Sequence, residues 1–398
     1  MQIEAPPEAN TGLIIVIPCC NEPDLLLTLN SLQACTPPKR KVEIIVVVNA
    51  AEYAPREILA RNESTIREIN DWRQKTARFG IFVLREETLP PKHAGVGLAR
   101  KIGMDEAAWR FEMSGNTKGV IVCLDADSTV APNYLTELEK YFTTYPATKA
   151  ASIYFEHPLT QDDARLREGI INYELHLRYY RQALKYAGYP FHYHTIGSSM
   201  AVRSDVYQQA GGMNRRKAGE DFYFLHKIMP LGNFGEINAT SVFPSGRVSE
   251  RVPFGTGRAM KEWMQGDNIF LTYNFNIFMD LKVFVEQIPF FFRKNAKEPA
   301  ALLKALPASV SSYLETKDFL AKAEEVNANV SGAETFVHRF FNWFDGFNAL
   351  KFVHHACDNF HPDIAVENAA KNLLEQTGNA SRLKGEALLD VYRKSDRQ

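Results

Sequence analysis

The hydrophobic positions in the first half of the chain fall into short runs, separated by polar breaks and by helical segments. The runs are Leu13–Ile17, Val42–Val48, Ile81–Leu84 and Val120–Leu124. Each is almost continuous Val, Ile and Leu, which is typical of strands buried on both faces. The intervening segments with helical character are Asp24–Ala34, Pro55–Ala77 and Val96–Arg110. Strands that alternate with helices predict crossover connections and a mostly parallel sheet.

The pattern changes after Asp127. The predicted elements there are a helix from Pro132 to about Tyr145, a strand over Ala150–Phe155, a long helix over Asp162–Ala187 and a strand over Ser199–Arg203. From about Lys294 onward every segment has helical character, and Phe336, Phe340, Phe344 and Phe347 form a stripe that predicts core packing. We therefore expect an α/β domain over residues 1–260 and a mainly helical C-terminal region over residues 261–398.

The charge balance narrows the classes of partner. The chain has 398 residues, with 46 Lys and Arg against 47 Asp and Glu, so the formal net charge is −1. A general nucleic-acid binder would carry a basic excess, so we expect no nucleic-acid partner. The five cysteines are too few for a disulfide framework, which favours reduced thiols in a cytoplasmic compartment.

No stretch of the sequence has the pattern of a membrane span. The most apolar later stretch, Phe270–Phe292, contains Asp280, Lys282 and Glu286, and charges at that spacing argue against a span. The N-terminal residues are polar and lack the pattern of a signal peptide. We expect a cytoplasmic protein whose membrane contact is at most peripheral, at the inner face of a membrane.

The first candidate site residues follow the fourth apolar run, because ligands of such sheets bind at the carboxyl ends of the strands. Asp125 and Asp127 follow that run directly. Two carboxylates at this spacing can serve one hard cation, Mg²⁺ or Mn²⁺, which takes further ligands from water and substrate phosphates. A solvated turn is the alternative interpretation for an isolated Asp-x-Asp.

A second pair of acids, Glu220 and Asp221, follows Gly219 at the start of a helical segment. Acidic residues at this position are commonly helix caps, which the helix dipole favours. The functional interpretation is a carboxylate general base that reaches the proton of an acceptor hydroxyl.

Taken together, these motifs resemble those of the family-2 glycosyltransferases, enzymes of the GT-A fold. The motifs are Ile15–Glu22 (IVIPCCNE), Gly95–Gly103 (GVGLARKIG), Leu124–Asp127 (LDAD), and Gly211–Met213 followed by Glu220 and Asp221. The resemblance covers roughly residues 12–260. It implies a Rossmann-like, mostly parallel sheet flanked by helices, with an α-helical C-terminal extension.

The resemblance also implies a mechanism. Asp127 would ligate a divalent metal, Mn²⁺ or Mg²⁺, and Asp125 would bind the donor ribose or the metal through water. Asp221 would act as the base, and Glu220 would orient it or hold an acceptor hydroxyl. The positions matched to the donor site are Pro18, Asn21, Glu22, Asn49, Gly95, Arg100, Asp125 and Ala126. A single displacement of this kind inverts the anomeric centre.

The chain departs from the family pattern after its second strand, where Asn49 stands in place of the usual Asp. Asn offers both a donor and an acceptor, so contact with a nucleotide base is retained. The expected donor is a UDP-sugar first and a GDP-sugar second. The expected acceptor is a glycan, a lipid-linked molecule or a small molecule. In the loop over residues 245–257, Arg247 and Arg251 are either a clamp for the diphosphate or solvated arginines of a surface turn.

Two other functions fit parts of the sequence. In a phosphatase of the haloacid-dehalogenase type, Asp125 would be the nucleophile and Asp127 the acid/base. That motif normally lies on the first strand of its domain, whereas three strand-like runs precede it here. The other alternative is a non-catalytic binder of nucleotide sugars or glycans, against which the presence of Asp125, Asp127 and Asp221 argues.

Overall fold

The computed structural model describes residues 2–8, 10–75, 78–217, 219–249, 255–293, 297–379 and 382–398. Its strands are β1 (Thr11–Cys19), β2 (Lys41–Ala51), β3 (Gly80–Leu89), β4 (Val120–Cys123), β5 (Thr129–Val130), β6 (Ala150–Phe155), β7 (Met200–Arg203), β8 (Phe234–Phe243), β9 (Leu271–Thr272) and β10 (Ile364–Ala365). The first eight form one sheet in the order β3-β2-β1-β4-β7-β6-β8-β5, and β9 pairs with β10.

Helices connect and follow these strands. The first seven are α1 (Leu25–Ala34), α2 (Arg56–Lys75), α3 (Val96–Met113), α4 (Tyr134–Thr144), α5 (Ala164–Tyr186), α6 (Ser204–Gln209) and α7 (Glu220–Ile228). The later ones are α8 (Thr256–Gln265), α9 (Phe275–Gln287), α10 (Lys297–Ala305), α11 (Ala308–Glu315), α12 (Phe319–Ala328), α13 (Ala333–Trp343), α14 (Gly346–Asn359), α15 (Val366–Gln376) and α16 (Gly385–Asp396). Two short 3₁₀ helices cover Met229–Leu231 and Ile288–Phe291.

The predicted α/β class, with a mostly parallel sheet and helices after it, is confirmed. The pairs β1–β2, β2–β3, β1–β4 and β6–β8 are parallel, whereas β4–β7, β6–β7 and β5–β8 are antiparallel. Since β7 alone is reversed between β4 and β6, strands β1, β2, β3, β4, β6 and β8 all end at one edge. Strands β1 and β4 are buried along their whole length, as their continuous apolar sequence predicts.

The chain forms two compact units. The sheet unit comprises Met1–Asp163, Thr195–Glu262 and Asp396–Gln398, and the helical unit comprises Ala164–His194 and Trp263–Ser395. The long helix α5 belongs to the helical unit, where it packs on α9 and α15. The functional division of the chain at about residue 260 stays a prediction.

The aromatic stripe predicted for the C-terminal region lies in the core of the helical unit. Phe336, Phe340 and Phe344 are buried, and the ring of Phe340 packs against Phe284 and Phe319. Their partners come from helices of the same unit. In the described ranges, no helix combines the length and the apolar character needed to cross a membrane.

Candidate functional site

The side chains singled out from the sequence meet at the edge where the six co-directional strands end. Asn21 and Glu22 follow β1, and Asn49 lies near the end of β2. Asp125 and Asp127 follow β4, and Arg247 follows β8. This convergence arises because parallel strands deliver their carboxyl ends to one side of a sheet.

One cluster at this edge is organised around Arg100. The Arg100 side chain is only 2% exposed, and its guanidinium pairs with Asp125 at 2.6 Å and with the buried carboxylate of Glu220. Burial lowers the pKa of the guanidinium, but the charges of Asp125, Cys123 and Asp221 outweigh that effect and leave the pKa raised. Arg100 therefore stays charged and joins the turn after β4 to the start of α7.

The Arg100 guanidinium packs directly against Gly197, which has no side chain. A Cβ atom at Gly197 would lie 2.7 Å from a guanidinium nitrogen of Arg100, closer than atoms pack. The sequence predicted a donor contact for Arg100. Its observed partners are two carboxylates of the protein, and the donor contact stays a prediction.

The half-buried Asp221 carboxylate lies beside this cluster. Burial raises its pKa above the ordinary value, and the charge of Asp125 adds to the increase. The Arg100 charge and hydrogen bonds from the Phe222 and Gly197 N–H groups act in the opposite direction without cancelling it. A carboxylate with a raised pKa is a stronger proton acceptor than an ordinary aspartate.

The backbone before α7 explains why both acids face the site. Gly219 has a φ of 68°, in the left-handed region that favours glycine, and α7 begins at the next residue. Below this cluster, burial raises the pKa of the Cys123 thiol to about 12, so this buried cysteine is not a nucleophile at neutral pH.

A second cluster surrounds Arg247. Its guanidinium pairs with the buried carboxylate of Glu22, with Asp24 at 2.7 Å and with Asp127 at 3.4 Å. These contacts do not fit the alternative of a solvated arginine on a surface turn. The other arginine predicted for this loop, Arg251, lies outside the described residues.

A residue that the sequence analysis missed joins the first two turns. The amide of the buried Asn62, on α2, accepts a hydrogen bond from the Asn21 N–H at 3.0 Å and donates one to the Asn49 carbonyl at 3.1 Å. Asn21 has a φ of 48°, so its turn needs such support. The available signal was that Asn62 lies one helical turn from Thr65 and two from Ile69 on the buried face of α2.

Three further residues predicted to bind the donor contact the rest of the protein mainly through their backbone. Pro18 is buried in β1 opposite Val47, and the Ala126 carbonyl accepts a hydrogen bond from the Thr28 hydroxyl at 2.9 Å. Gly95 precedes α3, and a Cβ there would lie 2.9 Å from the Lys217 carbonyl oxygen. These residues shape the turns, and their role in donor binding stays a prediction.

The carboxylates at this edge could supply oxygen ligands to a divalent cation. The carboxylates at this edge are Glu22, Asp24, Asp125, Asp127, Glu220 and Asp221, against the guanidinium groups of Arg100 and Arg247. Within the described ranges, no three His, Cys, Asp or Glu side chains are arranged to enclose a metal. A fitting ion would take one or two carboxylates and its other ligands from water and phosphate, as Mg²⁺ and Mn²⁺ do.

We expect Gly97→Ala to destabilise the protein by about 1–3 kcal/mol, the cost of overpacking a closely packed site. A Cβ at Gly97 would lie 2.1 Å from the Arg216 carbonyl oxygen and 3.0 Å from the Glu220 Cβ. Chemical denaturation would measure the loss. The matched control is Gly332→Ala, where the added Cβ meets open space. An unchanged midpoint for Gly97→Ala would contradict this packing.

Residues 14–211 match the family model described as Glycosyl transferase family 2, and residues 120–313 match the model described as Glycosyl transferase family group 2. No curated protein matches the chain.

Three crystal structures of TarS from S. aureus are similar to this chain. TarS 1-349 in complex with UDP-GlcNAc has 13% sequence identity and a TM-score of 0.42, with 83% of this chain and 91% of that chain covered. The complex with UDP has 12% identity, a TM-score of 0.41 and the same coverage. TarS itself has 14% identity and a TM-score of 0.40, with 83% of this chain and 55% of that chain covered.

Proposed function

Because the chain belongs to the family-2 glycosyltransferases, enzymes of the GT-A type, we propose that it moves a sugar from a nucleotide-diphosphate donor to an acceptor hydroxyl, with inversion and with a divalent metal. The family favours glycosyl transfer over the phosphatase and the non-catalytic binder. The observation that carries the proposal is the position of Asp221, a carboxylate of raised pKa directly after Glu220, which Arg100 links to Asp125.

In the proposed reaction the acceptor oxygen attacks the anomeric carbon of the donor sugar. The bond between that carbon and the diphosphate oxygen breaks, and its electron pair leaves with the diphosphate. The acceptor proton passes to the Asp221 carboxylate, whose raised pKa favours this transfer. One displacement at the carbon inverts its configuration. Glu220 is a positioning residue, because its buried carboxylate is engaged by Arg100.

Asp127 is the proposed metal ligand, with Asp125 near it. Its carboxylate is partly exposed and offers the hard oxygen ligands that Mg²⁺ and Mn²⁺ prefer. When bound, the metal neutralises charge that develops on the leaving diphosphate. Arg247 already pairs with Asp127, which makes it the proposed cationic contact for the diphosphate from the loop after β8.

Asn49 is the proposed contact for the nucleotide base. The backbone carbonyl of Asn49 accepts a hydrogen bond from Asn62, which fixes the turn. The Asn49 side chain can both donate hydrogen bonds to a base and accept them from it. A UDP-sugar is the first candidate donor and a GDP-sugar the second.

We expect one of UDP, GDP, CDP and dTDP to raise the thermal unfolding midpoint of the protein only when Mn²⁺ is present. A ligand that binds only the folded state at a hundredfold excess over Kd stabilises it by about 2.7 kcal/mol. Asp127→Ala should remove the shift, because the variant lacks the carboxylate proposed to hold the metal. Differential scanning fluorimetry would measure it.

The matched control is Asp71→Ala, which removes an exposed carboxylate near the C-terminal end of α2. It should keep the full shift with the same nucleotide. A shift that persists without Mn²⁺, or in Asp127→Ala, would contradict the metal assignment. No shift with any nucleotide would contradict the proposed donor site.

A further inference from the structure

A group of cationic side chains borders the acids of the site. Lys92 lies just before α3, and Arg215, Arg216 and Lys217 lie in the loop before α7. All four residues are exposed. We call these four residues the basic patch. The mechanism proposed above assigns no role to any of them.

The patch has a defined position because the backbone of its loop packs on the start of α3. A Cβ at Gly95 would lie 2.9 Å from the Lys217 carbonyl oxygen, and one at Gly97 would lie 2.1 Å from the Arg216 carbonyl oxygen. The ring Nδ1 of His93 lies 3.1 Å from the Arg215 carbonyl oxygen. Two glycines and one histidine therefore bring Lys92 and the loop cations together.

The same loop is tied to the helix that carries the proposed base. The Asn214 side chain donates a hydrogen bond to the Glu220 carbonyl at 3.3 Å and accepts one from the Arg216 N–H at 3.2 Å. The Arg216 guanidinium lies 3.6 Å from the ring centroid of Tyr223 on α7. The patch is thus held against the first turn of α7, beside Asp221.

The charge of the patch is directed at solvent. In the part of the chain that the structure describes, no carboxylate forms an ion pair with Lys92, Arg215 or Lys217. By contrast, the nearby Lys101 is neutralised by Asp105 at 2.7 Å. The start of α3 adds the positive end of a helix dipole. A local excess of cations in a chain of net charge −1 attracts anions to this side of the site.

We propose that the acceptor carries phosphate groups and that the basic patch binds them while an acceptor hydroxyl approaches Asp221. This inference rests on the proposed function, since it takes Asp221 as the base. Arginine and lysine at an exposed site suit phosphate oxygens. We assign the patch to the acceptor because its loop is tied to α7, which carries the base, whereas Asp127 pairs with Arg247 in the other cluster. The predicted donor position Gly95 also packs on this loop, so nucleotide binding is measured in the same test.

The test compares binding of fluorescein-labelled inorganic polyphosphate to the parent and to the triple variant Lys92→Gln, Arg215→Gln, Lys217→Gln. Fluorescence anisotropy over a series of NaCl concentrations gives Kd and its salt dependence. The variant should bind about tenfold more weakly or worse at low salt, because three charge contacts are lost. Its Kd should also depend less on salt than that of the parent.

The matched control is the triple variant Arg73→Gln, Lys75→Gln, Lys118→Gln. It removes the same charge from the opposite edge of the sheet, where α2 ends and β4 begins. This control should bind polyphosphate as the parent does. Equal losses in the two triple variants would show attraction to overall charge only, which would overturn the proposal.

Two further measurements are made. The first asks whether the phosphate belongs to a lipid headgroup, and the second distinguishes failure of this proposal from failure of the proposed function. Flotation with vesicles of POPC alone or of POPC with POPG tests whether the phosphate belongs to a lipid headgroup. UDP binding with Mn²⁺ is measured on the same proteins. Patch-dependent binding to either polyphosphate or POPG vesicles, with UDP binding intact, supports the proposal.

The proposal is overturned if the parent binds neither probe or if the patch variant binds as the parent does. It is also overturned if the patch variant loses UDP binding to the same extent, because the patch would then serve the donor. If the parent bound none of UDP, GDP, CDP and dTDP, that would instead count against the proposed function. The polyphosphate comparison between the variants could still be interpreted.

Discussion

Replacement of Asp221 by Asn is expected to lower the rate of sugar transfer by about 10²–10⁴-fold, the usual contribution of a general base. The amide keeps the shape of the side chain but cannot take the acceptor proton. Nucleotide binding should stay at the parent level, since Asp127 and Arg247 are unchanged. Steady-state transfer assays and calorimetric titration with the nucleotide would measure the two quantities.

The matched control is Asp205→Asn. Asp205 also lies in the first turn of a helix and accepts a hydrogen bond from the next backbone N–H at 2.8 Å, as Asp221 does. It lies at the start of α6, after the reversed strand β7, and should leave transfer unchanged. Transfer at the parent rate by Asp221→Asn would show that the base is another group.

The pH dependence of the parent gives an independent check on the same base. Asp221 must be deprotonated to act, so kcat/KM should fall as the pH decreases through its pKa, which lies above the ordinary aspartate value. The Asp125 charge contributes to the increase, so Asp125→Asn should move this acidic limb to lower pH, whatever its effect on the rate. A limb that does not move would contradict the coupling of the two carboxyl groups.

Replacement of Arg100 by Met is expected to destabilise the protein by about 3–5 kcal/mol, because it leaves the buried carboxylate of Glu220 without its cationic partner. Glu220 is only 2% exposed, so water does not replace the lost charge. Urea denaturation would measure the loss. The neighbouring substitution Lys101→Met is the control: its partner Asp105 is exposed, and the loss should stay below about 1 kcal/mol.

The double variant Arg100→Met, Glu220→Met tests the reason for that loss. Removing both charges replaces an ion pair with apolar side chains, which is often neutral for stability. We expect much of the stability to return while transfer stays low, because the link from Asp125 to α7 is lost. A double variant as unstable as the single one would show that packing, and not the unpaired carboxylate, causes the loss.

The sequence predicted most strands of the sheet because the apolar runs of β1, β2 and β4 are buried on both faces. It missed β8, whose alternating polar residues include Glu236 and Asn238 and leave much of the strand partly exposed. The post-strand acids were also predictable, since a parallel sheet fixes where its strands end. The partners of Arg100 and Arg247 could not be predicted from the sequence. Arg100 pairs with Glu220 and Arg247 pairs with Asp24, and each pair is separated by more than a hundred residues.

The assignment of α5 to the helical unit has a consequence for protein synthesis. The buried face of α5 includes Ile170, Leu175 and Tyr179, and its partner α15 is encoded roughly 190 residues later. At about 5–20 residues per second, a ribosome needs on the order of 10–40 s to cover that distance. During this interval the face lacks α15 and exposes apolar side chains, the kind of surface that chaperones cover. Rapid translation of this stretch should therefore favour correct folding.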